Sequence, residues 1–326
     1  MTGTTPIDTI LEGDALTRLK ELPSESVDCC ITSPPYFGLR DYGVEGQIGL
    51  EESPEAYVSK LVEVFREVRR VLKKEGTLWL NLGDSFASGK GTCFNPGGGS
   101  SSLGKARKDA GAHPLNRGNI SDLRASGLKP KDLIGIPWMV AFALRADGWY
   151  LRSDIIWHKP NCMPESVTDR PTKSHEYIFL LSKSQKYYYD GEAIKEESIT
   201  NDPRKPYTSQ GAKELDGRDV WHSGEKRENG DFTKRNKRTV WTVATKPYSE
   251  AHFATFPEKL IEPCVLAGCP EGGICLDPFF GAGTTGLVAK KLGRHFVGIE
   301  LNEAYIGMAQ KRIAAVPARL DRWAGA

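Results

Sequence analysis

The sequence predicts an α/β fold, a mostly parallel sheet with helices on both faces, and three observations predict it. Short apolar runs of strand length alternate with longer stretches whose apolar residues recur at helical spacing. The apolar runs read as strands buried on both faces. Near the C-terminus a strand, a glycine-rich turn, a helix and a further strand follow one another without interruption. With 326 residues, 39% of them hydrophobic, the chain can bury a large core, as one α/β domain carrying insertions or as two domains.

Taken in order, "IDTILEGDAL" (7–16) and "SVDCCITSPPY" (26–36) read as buried strands bounded by turn signals. A helix follows over 53–76, with Ser53 as cap, Pro54 at its first position, apolar residues at 58, 61, 62, 65, 68 and 72, and Gly76 as its stop. "TLWLNLGDSF" (77–86) is the next strand. Residues 88–131 break the pattern: they are Gly/Ser-rich and carry eight Lys/Arg against two Asp/Glu, a composition expected of a mobile basic loop that orders on a polyanion. The pattern resumes with a helix over 135–148 and a strand over 149–160, and 174–190 is expected to supply two more strands. Residues 185–248 read as an insertion. Within 201–240 ten Lys/Arg and seven Asp/Glu are interleaved with Tyr207, Trp221 and Phe232, a mixture suited to nucleic-acid contact. The expected organisation is therefore one functional half over 1–87 and 132–184, the basic loop at 88–131, the insertion at 185–248, and a cofactor-binding half over 249–326.

Charge and cysteines narrow the class. Lys+Arg number 44 against Asp+Glu 42, a net charge of +2 that names no partner on its own. No apolar run approaches the roughly 20 residues that span a bilayer, and "MTGTTPIDTI" lacks the basic and apolar regions of a signal peptide. The reading is a cytoplasmic protein without membrane contact. Seven cysteines, at 29, 30, 93, 162, 264, 269 and 275, include no Cys-x-x-Cys pair. Most are expected to be small hydrophobes in strands and helices, with neither a disulfide framework nor a metal site.

The unit "GGICLDPFFGAGTTGLVAKKLGRHFVGIELN" carries the cofactor signal. A strand ends at Asp277, the turn holds Gly281 and Gly283, a helix runs from Thr284 towards Gly293, and the next strand ends at Glu300. The acidic residue about 20 positions after the glycines is where nucleotide-binding βαβ units take ribose hydroxyls. The three-glycine phosphate fingerprint is not met, and Asp277 directly before the turn would repel a pyrophosphate. A ligand with an amino group and ribose hydroxyls but no phosphate fits, and S-adenosylmethionine has that chemistry. This turn lies late in the chain, whereas such turns usually open a domain. If the N-terminal strands join the same sheet, the domain is circularly permuted.

At the other end, the strand from Val27 runs into Thr32-Ser33-Pro34-Pro35-Tyr36. Two prolines end a strand, fix their own φ and leave two positions without an N–H. Together "TSPPY" and "DPFFGAGTT", with "LEGDAL" (11–16), "RPTKSHEYIF" (170–179) and "HFATFPEKLI" (252–261), resemble the S-adenosylmethionine-dependent DNA amino-methyltransferases. The order, tetrapeptide first and cofactor turn last, is similar to the permuted β group of that family. The resemblance covers nearly the whole chain and implies a Rossmann-like methyltransferase fold acting on a flipped base in double-stranded DNA. It implies that Ser33 Oγ and the Pro34 carbonyl accept hydrogen bonds from an exocyclic NH₂, pulling nitrogen towards a tetrahedral geometry, with Pro35 keeping the turn rigid and Tyr36 stacking on the base. It further implies Asp14 and Glu300 at the adenosine, Asp277, Phe279, Gly281, Gly283 and Thr284 around the methionine part, Phe253 and Phe256 packing on the cofactor, and a homodimer. His175 and Glu176 read as structural. Ser at the first tetrapeptide position usually accompanies cytosine-N4 rather than adenine-N6 methylation in the family, but base rates pull the other way, and the two targets stay open. An RNA or protein-glutamine methyltransferase, or an inactive nucleic-acid-binding protein of this fold, are the alternatives. Carbon-5 methylation would need a cysteine nucleophile. Pro263-Cys264 offers the dipeptide, but inside an expected helix.

Overall fold

The computed structural model describes residues 4–38, 44, 46–87, 93–94, 127–198, 234–245 and 256–316. Its centre is an eight-stranded sheet. The strands, in chain order, are β1 (Thr9–Glu12), β2 (Val27–Thr32), β3 (Leu72–Leu82), the short β4 (Phe86–Ala87) and β5 (Cys93–Phe94), β6 (Tyr150–His158), β7 (His175–Ser182), the short β8 (Glu196–Glu197) and β9 (Lys234–Arg235), β10 (Val240–Thr242), β11 (Ile274–Asp277) and β12 (His295–Glu300). The helices are α1 (Ala15–Glu21), α2 (Pro54–Val71), α3 (Ile136–Ala146), α4 (Glu258–Gly268), α5 (Thr284–Lys291) and α6 (Glu303–Ala314). The sheet order is β1-β12-β11-β2-β3-β7-β6-β10, while β4-β5 and β8-β9 form separate two-stranded pairs. The pairs from β1 to β3 are parallel, β7 is antiparallel to both its neighbours, and β10 runs parallel to β6.

Alternation along the strands builds two cores. Cys30, Leu78, Leu80 and Val297 pack with Leu19 of α1, Leu61 and Phe65 of α2 and Val140 of α3. Their neighbours Cys29, Ile31, Trp79 and Phe296 pack with Leu260 of α4, Val288 of α5 and Ile313 of α6. Successive residues of a strand face opposite sides, so three helices cover each face, as the apolar runs predict. The C-terminal strands β11 and β12 lie between β1 and β2. The permuted arrangement is therefore the observed one. No helix among the described residues is long and apolar enough to cross a membrane.

Four details differ from the sequence reading. Residues 7–16 are not one strand: Gly13, at φ 138°, turns the chain, and Asp14 caps α1 by accepting from Thr17 N at 2.9 Å. Helix α2 has the expected Ser53 cap, accepting from Ala56 N at 3.1 Å, but ends at Val71 because Leu72 already pairs with Val27 of β2. Only one strand forms in 174–190. Beyond Ser182 the amides of Tyr188 and Asp190 donate to Glu75 O and Ala267 O, and Tyr189 stacks on Trp79 at 6.4 Å, so the segment crosses the sheet instead of pairing with it. Finally, 185–248 contains β10, which returns to the main sheet beside β6 and brings Trp241 to 6.5 Å from Trp79.

Candidate active site

Every sequence motif singled out above and described by the structure falls on one edge of the sheet, at the carboxyl ends of the parallel strands, where open α/β sheets bind their ligands. Strand β2 ends at Thr32 and delivers Ser33, Pro34, Pro35 and Tyr36. Its neighbour β11 ends at Asp277 and delivers the glycine turn. A buried hydrogen bond ties the two ends together: Thr32 Oγ1 donates to Asp277 Oδ1 at 2.6 Å. Thr285 Oγ1 donates to the other carboxylate oxygen at 2.7 Å, and Phe279 N adds a third bond at 3.1 Å.

That network fixes the shape of the turn. Asp277 is 1% exposed, and its carboxylate serves three donors from its own chain, which shape the turn. Burial is the main reason its pKa rises from 3.8 to about 6. Thr284 is buried as well, and its hydroxyl accepts from Arg312 of α6 at 3.2 Å. Thr285, not singled out from sequence, is the hydroxyl that engages the Asp277 carboxylate.

The turn itself is held from below. Phe280 inserts between Gly286 and Gly298, where an added Cβ would lie 2.7 and 2.5 Å from its ring. The ring stacks on Phe296 at 5.5 Å. Gly281 and Gly283 have φ of 51° and 75°, conformations that favour glycine. Nothing lies within 4 Å of the point where a Cβ would sit on Gly281, so that side of the turn is open to a ligand. Glu300 accepts from Gly281 N at 2.7 Å through one oxygen and from Asn302 N at 2.8 Å through the other. A carboxylate offers about four acceptor positions, so Glu300 keeps the capacity to accept from a ribose hydroxyl. Burial raises its pKa too. Gly13 N donates to the Glu300 backbone carbonyl at 2.9 Å, which joins the turn that carries Asp14 to the end of β12. Asp14 Oδ1 is occupied by Thr17 as the cap of α1. The residues present thus fit S-adenosylmethionine. Phe279 is half-buried against the α1–α3 core and Phe256 against the α4–α6 core. Phe253 lies outside the described residues.

The tetrapeptide is braced on several sides. Tyr57 of α2 donates to Pro35 O at 2.9 Å. The Tyr36 ring lies against Gly83, where a Cβ would meet its Cε2 at 2.6 Å. The Tyr36 hydroxyl donates to Glu176 Oε2 at 2.7 Å, with Asn81 Oδ1 at 3.3 Å and Ser33 Oγ at 3.4 Å from it. Burial, with Glu176 beside it, holds the phenol pKa well above its ordinary value, so it stays protonated. One turn further, Asp84 accepts from the amides of Ser85, Gly135 and Ile136 and so seats the N-terminus of α3 at the same edge. Asn81, Gly83, Asp84 and Glu176 are the residues that motif reading missed or left structural. Adjacency is the signal that finds them: β3 is the neighbour of β2, and the antiparallel β7 begins at the edge where the parallel strands end.

Of the described cysteines, Cys29, Cys30, Cys264, Cys269 and Cys275 are buried core residues, and Cys162 is partly exposed. Burial pushes the Cys264 thiol up, and Cys264 sits in α4 with Pro263, no place for a nucleophile.

Comparison with known proteins agrees with this geometry. A DNA methylase family model, of the N6/N4 type, matches residues 27–311. The type II methyltransferase M.SmaI of Serratia marcescens is 50% identical over 93% of this chain and 90% of its own length. M.Cfr9I of Citrobacter freundii is 48% identical over 98% and 91%. Among solved structures, the PvuII DNA methyltransferase, described as cytosine-N4-specific, superposes with a TM-score of 0.60 at 17% identity, over 99% of this chain and 89% of its own. A Thermus thermophilus protein solved with S-adenosyl-L-methionine gives 0.54 at 24% identity, over 94% of both chains. The chain belongs to the N6/N4 DNA methylase family, the S-adenosylmethionine-dependent DNA methyltransferases.

Proposed function

We propose that this methyltransferase modifies the exocyclic N4 of cytosine, flipped out of a specific duplex sequence. The observation that carries the reading is the Thr32–Asp277 bond, which seats the Ser33–Tyr36 acceptors and the glycine turn on adjacent strand ends. S-adenosylmethionine supplies a methyl group on a positively charged sulfur, so transfer to nitrogen breaks the C–S bond, leaves S-adenosylhomocysteine and leaves the amine one proton to shed to water. The amino nitrogen is a poor nucleophile because its lone pair is conjugated into the ring. Ser33 Oγ and Pro34 O draw hydrogen bonds from the NH₂ and localise that lone pair. The proline turn, fixed by Tyr57 and Gly83, holds both acceptors in place beforehand. Tyr36 offers a ring face to the base. Ser33, a neutral hydroxyl in the first position, is the feature that favours cytosine over adenine.

Residues 185–248 supply target recognition in this reading, and the basic stretches 88–131 and 201–240 contact phosphates; most of these residues lie outside the described ones. The enzyme works in the cytoplasm as a homodimer, which sedimentation at working concentration tests. Nucleoside mass spectrometry of DNA methylated by the pure protein tests the chemistry. N4-methylcytosine is the expected product; N6-methyladenine would reassign the base, and 5-methylcytosine without either amino product would overturn the mechanism.

A further inference from the structure

We propose that Glu176 is a positioning residue that sets the direction of a hydrogen-bond chain through Tyr36 to Ser33, so that Ser33 presents its lone pairs to the incoming amino group. The inference rests on the amino-methylation reading above. Glu176 stands at the start of β7, its side chain only 15% exposed and ion-paired with Lys159. The Lys159 ammonium is itself held over the Trp157 ring at 4.3 Å. A paired carboxylate accepts hydrogen bonds and donates none.

Everything downstream follows from that one-way property. Asn81 Nδ2 donates to Glu176 Oε2 at 3.2 Å and to Tyr177 O at 3.1 Å, which leaves its carbonyl oxygen towards Tyr36. The phenol has one proton and two acceptors within reach. The charged oxygen at 2.7 Å outcompetes the neutral amide oxygen at 3.3 Å, because charge-assisted hydrogen bonds are shorter and roughly twice as strong. With its proton committed to Glu176, the Tyr36 oxygen can only accept. Its remaining neighbour is Ser33 Oγ, 3.4 Å away, whose proton therefore turns towards Tyr36. The lone pairs of Ser33 then face the opposite way, towards the site. Without this polarity the serine hydroxyl could rotate its proton towards the substrate nitrogen, a donor facing donors. A rotatable hydroxyl is a good acceptor for an NH₂ only when something fixes its own proton.

Steady-state methylation with Glu176→Gln, Tyr36→Phe and the double variant tests the proposal. The amide of Glu176→Gln can donate as well as accept, and Tyr36→Phe keeps the ring on Gly83 while removing the hydroxyl. Each is expected to lower kcat at least about tenfold while KM for DNA and for S-adenosylmethionine stays within about twofold. The double variant is expected to be no slower than Tyr36→Phe alone, because both changes cut the same chain. Near-wild-type kcat in either single variant, or losses that multiply in the double, would overturn the proposal. If Glu176→Gln fails to fold, Tyr36→Phe decides: unimpaired kcat overturns the proposal, and reduced kcat at unchanged KM supports it. Absence of amino methylation by the wild type would instead sink the proposed function, which the same assay reads.

Discussion

Replacing Asp277 with Asn is expected to stabilise the protein at neutral pH, and by an amount that shrinks as the pH falls. The carboxylate is almost fully buried, and its pKa in the folded protein is about 6 against an ordinary 3.8. The folded state therefore binds this proton more tightly than the unfolded chain. Stability from this group is fully present below 3.8 and is lost as the pH rises through about 6. At about 1.4 kcal/mol per pH unit, ionising Asp277 costs the fold about 3 kcal/mol at pH 7. Asn is uncharged and keeps an acceptor for Thr32 Oγ1 and Phe279 N, while Thr285 Oγ1 can turn to Ile31 O, 3.4 Å away. Urea unfolding of both proteins reads the difference directly, since every other titrating group cancels. The advantage of Asp277→Asn should fall by about 2 kcal/mol between about pH 7 and about pH 4.5. A difference that stays constant across that range would refute the reasoning. Asp277→Ala is the contrast: it strands the buried Thr32 hydroxyl and the Phe279 amide and should destabilise at every pH.

Glu300→Ala should weaken S-adenosylmethionine binding by about 1.5–3 kcal/mol, the worth of a charged hydrogen-bonding partner, and calorimetry showing unchanged affinity would move the ribose site elsewhere. Gly83→Ala should cut turnover at least about tenfold with S-adenosylmethionine affinity kept, because its methyl would occupy the edge of the Tyr36 ring; wild-type turnover would show that the ring position does not matter. DNA affinity should fall steeply with added salt, and Lys/Arg→Ala changes within 201–240 should flatten that slope, whereas salt-independent binding would exclude phosphate contacts there.

The cofactor half is legible in sequence because its signals are local. Strand, turn, helix and acidic strand end occupy consecutive residues, and β11, α5 and β12 fall where the pattern puts them. The Ser33–Tyr36 turn is equally plain, since two prolines after an apolar strand have few other uses. What stays hidden depends on neighbours far along the chain. Nothing in "GDALTRLKE" announces α1, which has only seven residues and is held by packing. The role of Asp277 is set by Thr32, a residue on another strand, and the acidic residue before a glycine turn looks the same in sequence whether it faces a ligand or the interior. Glu176 is the sharpest case: within "SHEYIF" it is one polar residue at a strand start, and only the pairing of β7 with β3 brings it to Tyr36.

The strand order also governs when the enzyme can come into being on the ribosome. Thr32 and Asp277 are separated by 245 positions, and β2 gains its neighbour β11 only after that whole stretch has been made. Until then the growing polypeptide carries the tetrapeptide on a strand with one open side, a state that invites mispairing and calls for protection. Closing the sheet needs contacts of very long sequence separation, which slows folding. In return, no fragment that ends before β11 can unite the donor turn with the acceptor turn. A copy truncated before β11 is therefore expected to be silent.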